Sequence, residues 1–86
     1  MPKRETSDLR GRRTDLAIVV LDMATGIGVG PGVISAIEDG AASDAERNFN
    51  ATWLVRIEGW SQLERDAQIS GVRFGRRFVS PQAFQR

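Results

Sequence analysis

Four glycines at alternate positions, Gly26, Gly28, Gly30 and Gly32, follow a run of six apolar residues from Leu16 to Leu21. Glycines placed after a buried strand can bring backbone N–H groups against a phosphate. That chemistry has strict spacing. The dinucleotide pattern needs glycine at its first, third and sixth places. Counted from Gly26 the sixth place is Pro31, and counted from Gly28 it is Val33. A P-loop ends in Gly-Lys followed by Ser or Thr, and this segment has no lysine. The glycines therefore do not form a phosphate loop, and their purpose lies in the backbone.

The chain also lacks the groups that do most protein chemistry. It has no histidine and no cysteine, so the commonest general base, the commonest metal ligand and the thiolate nucleophile are missing. No spacing brings two carboxylates together for acid–base work. No catalytic residue, metal site or cofactor is expected. What remains is arginine. Residues 1–13 hold five basic and two acidic side chains, residues 14–72 three basic and nine acidic, and residues 73–86 four basic and no acidic ones. Basic ends around an acidic middle suit contact with a polyanion, or are two solvated tails. For polyanion contact the candidates are Lys3, Arg4, Arg10, Arg12 and Arg13, with Arg73, Arg76 and Arg77 behind them.

The elements that position these residues are short. With 86 residues the chain is one small domain. No apolar stretch approaches the roughly 18 residues of a membrane span. The charged start, MPKRETSDLRGRR, lacks the apolar run of a secretory signal, so a cytoplasmic protein off the membrane is expected. Thr6 or Ser7 is expected to cap a first helix running to about Leu16, which Gly11 weakens by about 1 kcal/mol relative to alanine. The β-branched run AIVVL suits a strand. As a helix from about Val19 to Thr25 it sets Val20, Met23, Ala24 and Ile27 near one face. Periodicity does not arbitrate in so short a run. Pro31 suits the first turn of a helix. Ile34 and Ile37 then share a face, and Gly40 falls where a left-handed C-cap belongs. A helix of about eight residues does not persist alone and must pack across a tight turn.

Met23-Ala24-x-x-Ile27-Gly28-Val29-x-x-x-x-Ile34-Ser35-x-Ile37-Glu38-x-Gly40 resembles the helix-turn-helix core of the Cro and phage-repressor family, also called Xre-like. That family commonly reads Leu-Ala-x-x-Leu-Gly-Ile-Ser-x-x-x-Ile-Ser-x-Ile-Glu-x-Gly, and the spacing agrees without a gap over 18 positions. Leu9-Arg10-x-x-Arg13 falls where the family's first helix carries a similar Leu-Arg-x-x-Arg. The resemblance implies an all-α, lambda-repressor-like bundle of about five short helices containing a helix-turn-helix. It also implies a sequence-specific transcriptional regulator that binds double-stranded DNA, as a homodimer. Ala24 would let the two helices of the motif cross closely, Gly28 would take positive φ, Val29 would plug the angle, and Ile34 and Ile37 would face the core. The recognition helix would present Gly30, Pro31, Gly32, Val33, Ser35 and Ala36 to DNA, with Arg10, Arg12 and Arg13 on the phosphates.

Two departures bear on that role. The family usually opens the motif with a Thr/Ser-Gln pair that touches the DNA backbone, and those positions here are Val19 and Val20. None of the six presented residues is Arg, Lys, Asn or Gln, the types that read purine edges bidentately. Val33 or Ala36 can touch a thymine methyl, Ser35 can make one hydrogen bond, and Asp39 would repel phosphate. Either the basic ends and DNA shape supply binding, or a degenerate motif docks a partner protein instead.

The second half continues as helix. Ser43-Asp44-Ala45-Glu46 and Ser61-Gln62-Leu63-Glu64 both fit capping boxes. Phe49, Trp53, Leu54 and Ile57 recur at helical spacing, as a core stripe would, up to Gly59. Trp60 either staples the next helix, which runs to about Ser70, or lies exposed as a dimer contact. Asn50-Ala51-Thr52 matches a glycosylation sequon but has no secretion signal to accompany it. The expected organisation is a flexible basic arm at 1–6, the helix-turn-helix domain at 7–70 and a basic, aromatic tail at 71–86. In that tail Phe74 and Phe78 sit four apart among Arg73, Arg76 and Arg77, and Pro81 ends any helix. Docking of the phenylalanines onto this domain or onto a partner protein is expected, with stacking on nucleic acid as the alternative.

Overall fold

In the computed structural model, which describes residues 8–79, the first helix starts on an aspartate. The expected arm at 1–6, the Thr6 or Ser7 cap and the segment beyond Val79 lie outside the described residues. Asp8 takes a left-handed conformation, φ 50°, and its carboxylate accepts the Gly11 N–H at 3.1 Å. A side chain at Gly11 would collide with that carboxylate, so the glycine that weakens the helix also makes its cap fit. Helix α1 runs Leu9–Asp15 and buries Leu9 and Arg13.

The apolar run is not a strand, and no strand occurs among the described residues. Leu16 and Ala17 form a link, Ile18 drops into the core, and Val19 precedes α2, Val20–Ile27. The helix starts and ends later than the sequence pattern suggests. The reason is the face it buries: Met23, Ala24 and Ile27 are inside at helical spacing, whereas Val19 and Leu21 point out. Gly28 ends α2 in the left-handed region, φ 86°, with its N–H on the Ala24 carbonyl at 2.9 Å. Val29 packs partly against the core. Gly30 precedes α3, Pro31–Glu38, whose first residue is the proline. Ile34 and Ile37 are buried, as their spacing requires. Gly40, φ 81°, closes α3. The Ala41 N–H reaches back to the Ala36 carbonyl at 2.8 Å and the Gly40 N–H to Ile37 at 3.1 Å, both bonds of a Schellman ending.

Helix α4, Asp44–Glu58, and helix α5, Gln62–Val72, each start with a complete capping box, on Ser43 with Glu46 and on Ser61 with Glu64. In α4 the inward stripe is Asn50, Ala51, Leu54 and Ile57. Phe49 is a correction to the expected core: one residue off that stripe, it stays 47% exposed. Asn50 is buried, so its side chain is not presented as a sequon requires. Trp60 is buried too, which removes it as an exposed contact. The architecture is an all-α bundle of five helices around one core.

Helix α5 extends past Ser70 because Val72 is part of that core. The chain then turns through Gly75, φ 88°, and runs without regular structure to Val79. Phe74 and Phe78 therefore share no helix face. Phe74 is 84% exposed, and Phe78 is buried. The Phe78 ring lies 5.5 Å from Trp60, edge-on, and 5.9 Å from Trp53. Its N–H donates to the Gly26 carbonyl at 2.7 Å, and its ring fills the space a Gly26 side chain would need.

That packing separates two glycines that look alike in sequence. Gly26→Ala forces a methyl into the Phe78 ring and should cost about 1–3 kcal/mol. A side chain at Gly32 meets nothing, so Gly32→Ala should stabilise by about 0.4–1 kcal/mol. Urea unfolding of the two variants measures both. Equal midpoints for the two would mean that Phe78 does not pack on Gly26.

Candidate nucleic-acid interface

The two short helices α2 and α3 are bent 110° from one another, across a turn of three residues, Gly28 to Gly30. That angle and that turn length are those of a helix-turn-helix. The outer side of α3 is bare. Gly30, Pro31, Gly32 and Ser35 are exposed, and no atom lies within 4 Å of where a side chain would begin at Gly30 or Gly32. Of the six residues expected on this face, Val33 and Ala36 are only half exposed, and Val33 leans on the core. At the start of α3 two of the exposed residues, Gly30 and Gly32, have no side chain, and Ser35 is the exposed side-chain donor.

The arginines of α1 are placed differently from expectation. Arg13 is buried. Its Nε and Nη2 donate to the two carboxylate oxygens of Glu38 at 2.6 and 3.1 Å, and its Nη1 donates to the Ile18 carbonyl at 2.7 Å. The Arg13 and Glu38 side chains are 9% and 2% exposed. Arg12 makes a two-pronged bond to Glu58 at the end of α4, both contacts at 2.8 Å. Arg10 donates to Glu38 and to Asp39. Arg13 is thus a correction: its guanidinium is buried, with all three nitrogens engaged by a carboxylate or a carbonyl, and is not presented to a phosphate. Arg12 and Arg10 serve the same internal work, fastening α1 to α4 and to the end of α3. Asp39, expected to repel phosphate, already shares its charge with Arg10.

Hydrogen bonding to Asp39 first, and then to Glu38, raises the Arg10 guanidinium above its ordinary range. A raised folded value favours folding below the unfolded value and loses that effect only above it. The raised value at Arg10 therefore contributes no pH dependence near neutrality.

Arg73 is also engaged. Its Nε and Nη2 donate to the buried Asp22 carboxylate at 3.2 and 3.1 Å, which ties the end of α5 to α2. Arg56 lies over the Trp53 ring at 5.1 Å. Arg76 and Arg77 differ from the carboxylate-bonded arginines. Both are exposed, and neither side chain makes a hydrogen bond or ion pair to another described residue. The Arg77 guanidinium sits against Gly28, its Cζ 2.7 Å from where a Gly28 side chain would begin. Composition alone does not separate these two from the arginines of α1, whose carboxylate partners lie 25 to 46 residues away. No group of three or more potential metal ligands occurs among the described residues, and no single helix there is long and apolar enough to cross a membrane.

The clamp makes a direct prediction. Arg13→Ala leaves the Glu38 carboxylate buried with only the solvent-facing Arg10 beside it, and should cost about 3–5 kcal/mol. Arg10→Ala keeps the buried pair and should leave the urea midpoint close to wild type. Equal, small effects in the two variants would show that the buried pair does not hold α1 to α3.

No family model matches this chain, and no curated protein or solved structure matches it either.

Proposed function

We propose that this chain is a DNA-binding transcriptional regulator of the Xre-like helix-turn-helix type, acting as a homodimer on double-stranded DNA. The observation that carries this proposal is the α2–α3 pair at 110° with the outer face of α3 left bare. A helix of this width fits the major groove. Gly30 and Gly32 let its backbone lie closer to the base edges than side chains would allow. Ser35 supplies a hydrogen bond, and the half-exposed Val33 and Ala36 supply methyl contacts with thymine. Such a neutral face discriminates weakly at each base pair, so DNA shape and phosphate contacts carry much of the affinity. Two copies on half-sites about 34–36 Å apart double the contact area and match a two-fold operator.

A second role in a different class is a helix-turn-helix that docks a partner protein. Exposed Leu21, Leu63 and Phe74 favour it. Mobility shift of the purified protein on mixed genomic fragments, repeated across salt, separates the two. Retention that weakens steeply with salt is expected. On a selected fragment, Ser35→Ala and Ala36→Val should change preference between sequences while unfolding stability moves by less than about 0.5 kcal/mol. A protein that shifts no duplex at low salt would sink the DNA proposal and leave the partner-docking role.

A further inference from the structure

Residues 75–79 are not a loose tail. Three contacts hold them down: the Phe78 ring between Trp53 and Trp60, the Phe78 N–H on the Gly26 carbonyl, and Gln68 of α5, whose Oε1 accepts the Val79 N–H at 3.1 Å. The left-handed Gly75 starts the segment, and its neighbour Arg76 bonds back to the Gly71 carbonyl through its N–H at 3.0 Å. The backbone on both sides of Arg77 is thereby tethered. Its side chain is directed onto Gly28, the first residue of the turn that enters α3. From Gly28 to Gly30 there is roughly 7 Å of chain.

We propose that residues 75–79 form a phosphate-contacting strap, pinned by the core, in which Arg77 at the α2–α3 turn and Arg76 alongside Gly71 of α5 hold the DNA backbone. The proposal rests on the DNA-binding role above and assigns its phosphate contacts. The choice of these two arginines follows from elimination within the described residues. Arg10, Arg12, Arg13 and Arg73 are bonded to carboxylates, Arg47 is paired with Asp44, Arg65 donates to the Trp60 carbonyl and to Gln62, and Arg56 is half-buried over the Trp53 ring. Arg76 and Arg77 are exposed and have their donors available. A guanidinium offers a planar fork suited to phosphate. Because the strap is already folded, meeting DNA costs it little conformational freedom.

The test measures affinity against salt on a short mixed-sequence duplex for four proteins: wild type, Arg76→Ala with Arg77→Ala, Arg76→Lys with Arg77→Lys, and Arg47→Ala. Wild type should show a steep linear fall of log affinity with log salt. The alanine pair should flatten the slope by about 0.9 for each phosphate that the strap no longer neutralises, with thermal melting unchanged because both side chains are exposed. The lysine pair should regain most of the slope, since it restores the charges. Arg47→Ala should match wild type. If wild type binds and the alanine pair keeps its slope, the strap is overturned and the DNA-binding role stands. A slope that the lysine pair fails to restore also overturns it, because charge would not then be the cause. If wild type binds no duplex at low salt, both are overturned together.

Discussion

The bidentate pair between Arg13 and Glu38 governs the placement of everything that faces outward. Both side chains are almost wholly buried, and two charges taken out of water are costly unless every donor and acceptor finds a partner. Here each Arg13 nitrogen and both Glu38 oxygens have a partner. Glu38 receives Arg13 through both oxygens, and the third Arg13 nitrogen reaches the Ile18 carbonyl. The pair fixes three elements at one point: α1, which carries Arg13; the link into α2, which carries Ile18; and the last turn of α3, which carries Glu38. Helix α3 has eight residues and could not hold its own direction. Its far end is set by this pair, its near end by Pro31 and the Gly28 turn, and its inner face by Ile34 and Ile37. A buried ion pair adds little net stability over an apolar isostere, but it tolerates few alternative arrangements. That suits a helix whose exposed start includes two residues without side chains.

Local chemistry was legible in the sequence wherever it acts within a few residues. Both capping boxes, the proline start of α3, the positive φ of Gly28 and the Gly40 ending follow from side chains and glycines that meet their own neighbours. So do Ile34 and Ile37. The β-branched run was ambiguous because propensity favours a strand while the spacing of Val20, Met23, Ala24 and Ile27 favours a helix, and burial decided for the helix. Phe49 shows a finer failure. It sits beside Asn50 and Ala51, and a shift of one position, about 100° around the helix, turns it from the core into solvent. The polar Asn50 goes inside in its place, which hydrophobicity alone would not suggest.

The candidate interface was legible in its shape and misread in its charges. Counting arginines by segment treats each as available, yet a guanidinium is available only if no carboxylate has claimed it. The claims are made across the fold: Glu38 on Arg13, Glu58 on Arg12, Asp22 on Arg73. None of these partners is near in sequence, so Arg10, Arg12 and Arg13 read as phosphate contacts when they are fasteners. From its sequence the segment after α5 is expected to dock its phenylalanines: Phe78 does so as a core residue and brings its neighbours with it, whereas Phe74 stays exposed.

Phe78 also sets an order of events as the chain is made. The ribosome releases the N-terminal part first, at about 5–20 residues each second, so α1 to α5 are in hand before the ring that fills the slot beside Gly26. Until then Trp53 and Trp60 lack one of their aromatic neighbours, and the Gly26 carbonyl lacks the donor that Phe78 brings. Helix α5 already packs on α2, so only the short stretch from Val72 to Phe78 remains to be closed, at little cost in loop entropy. Among the described residues, the last-made part of the core is thus the one that seals α2, and a chain stopped short of it would carry the outline of the motif with its underside open.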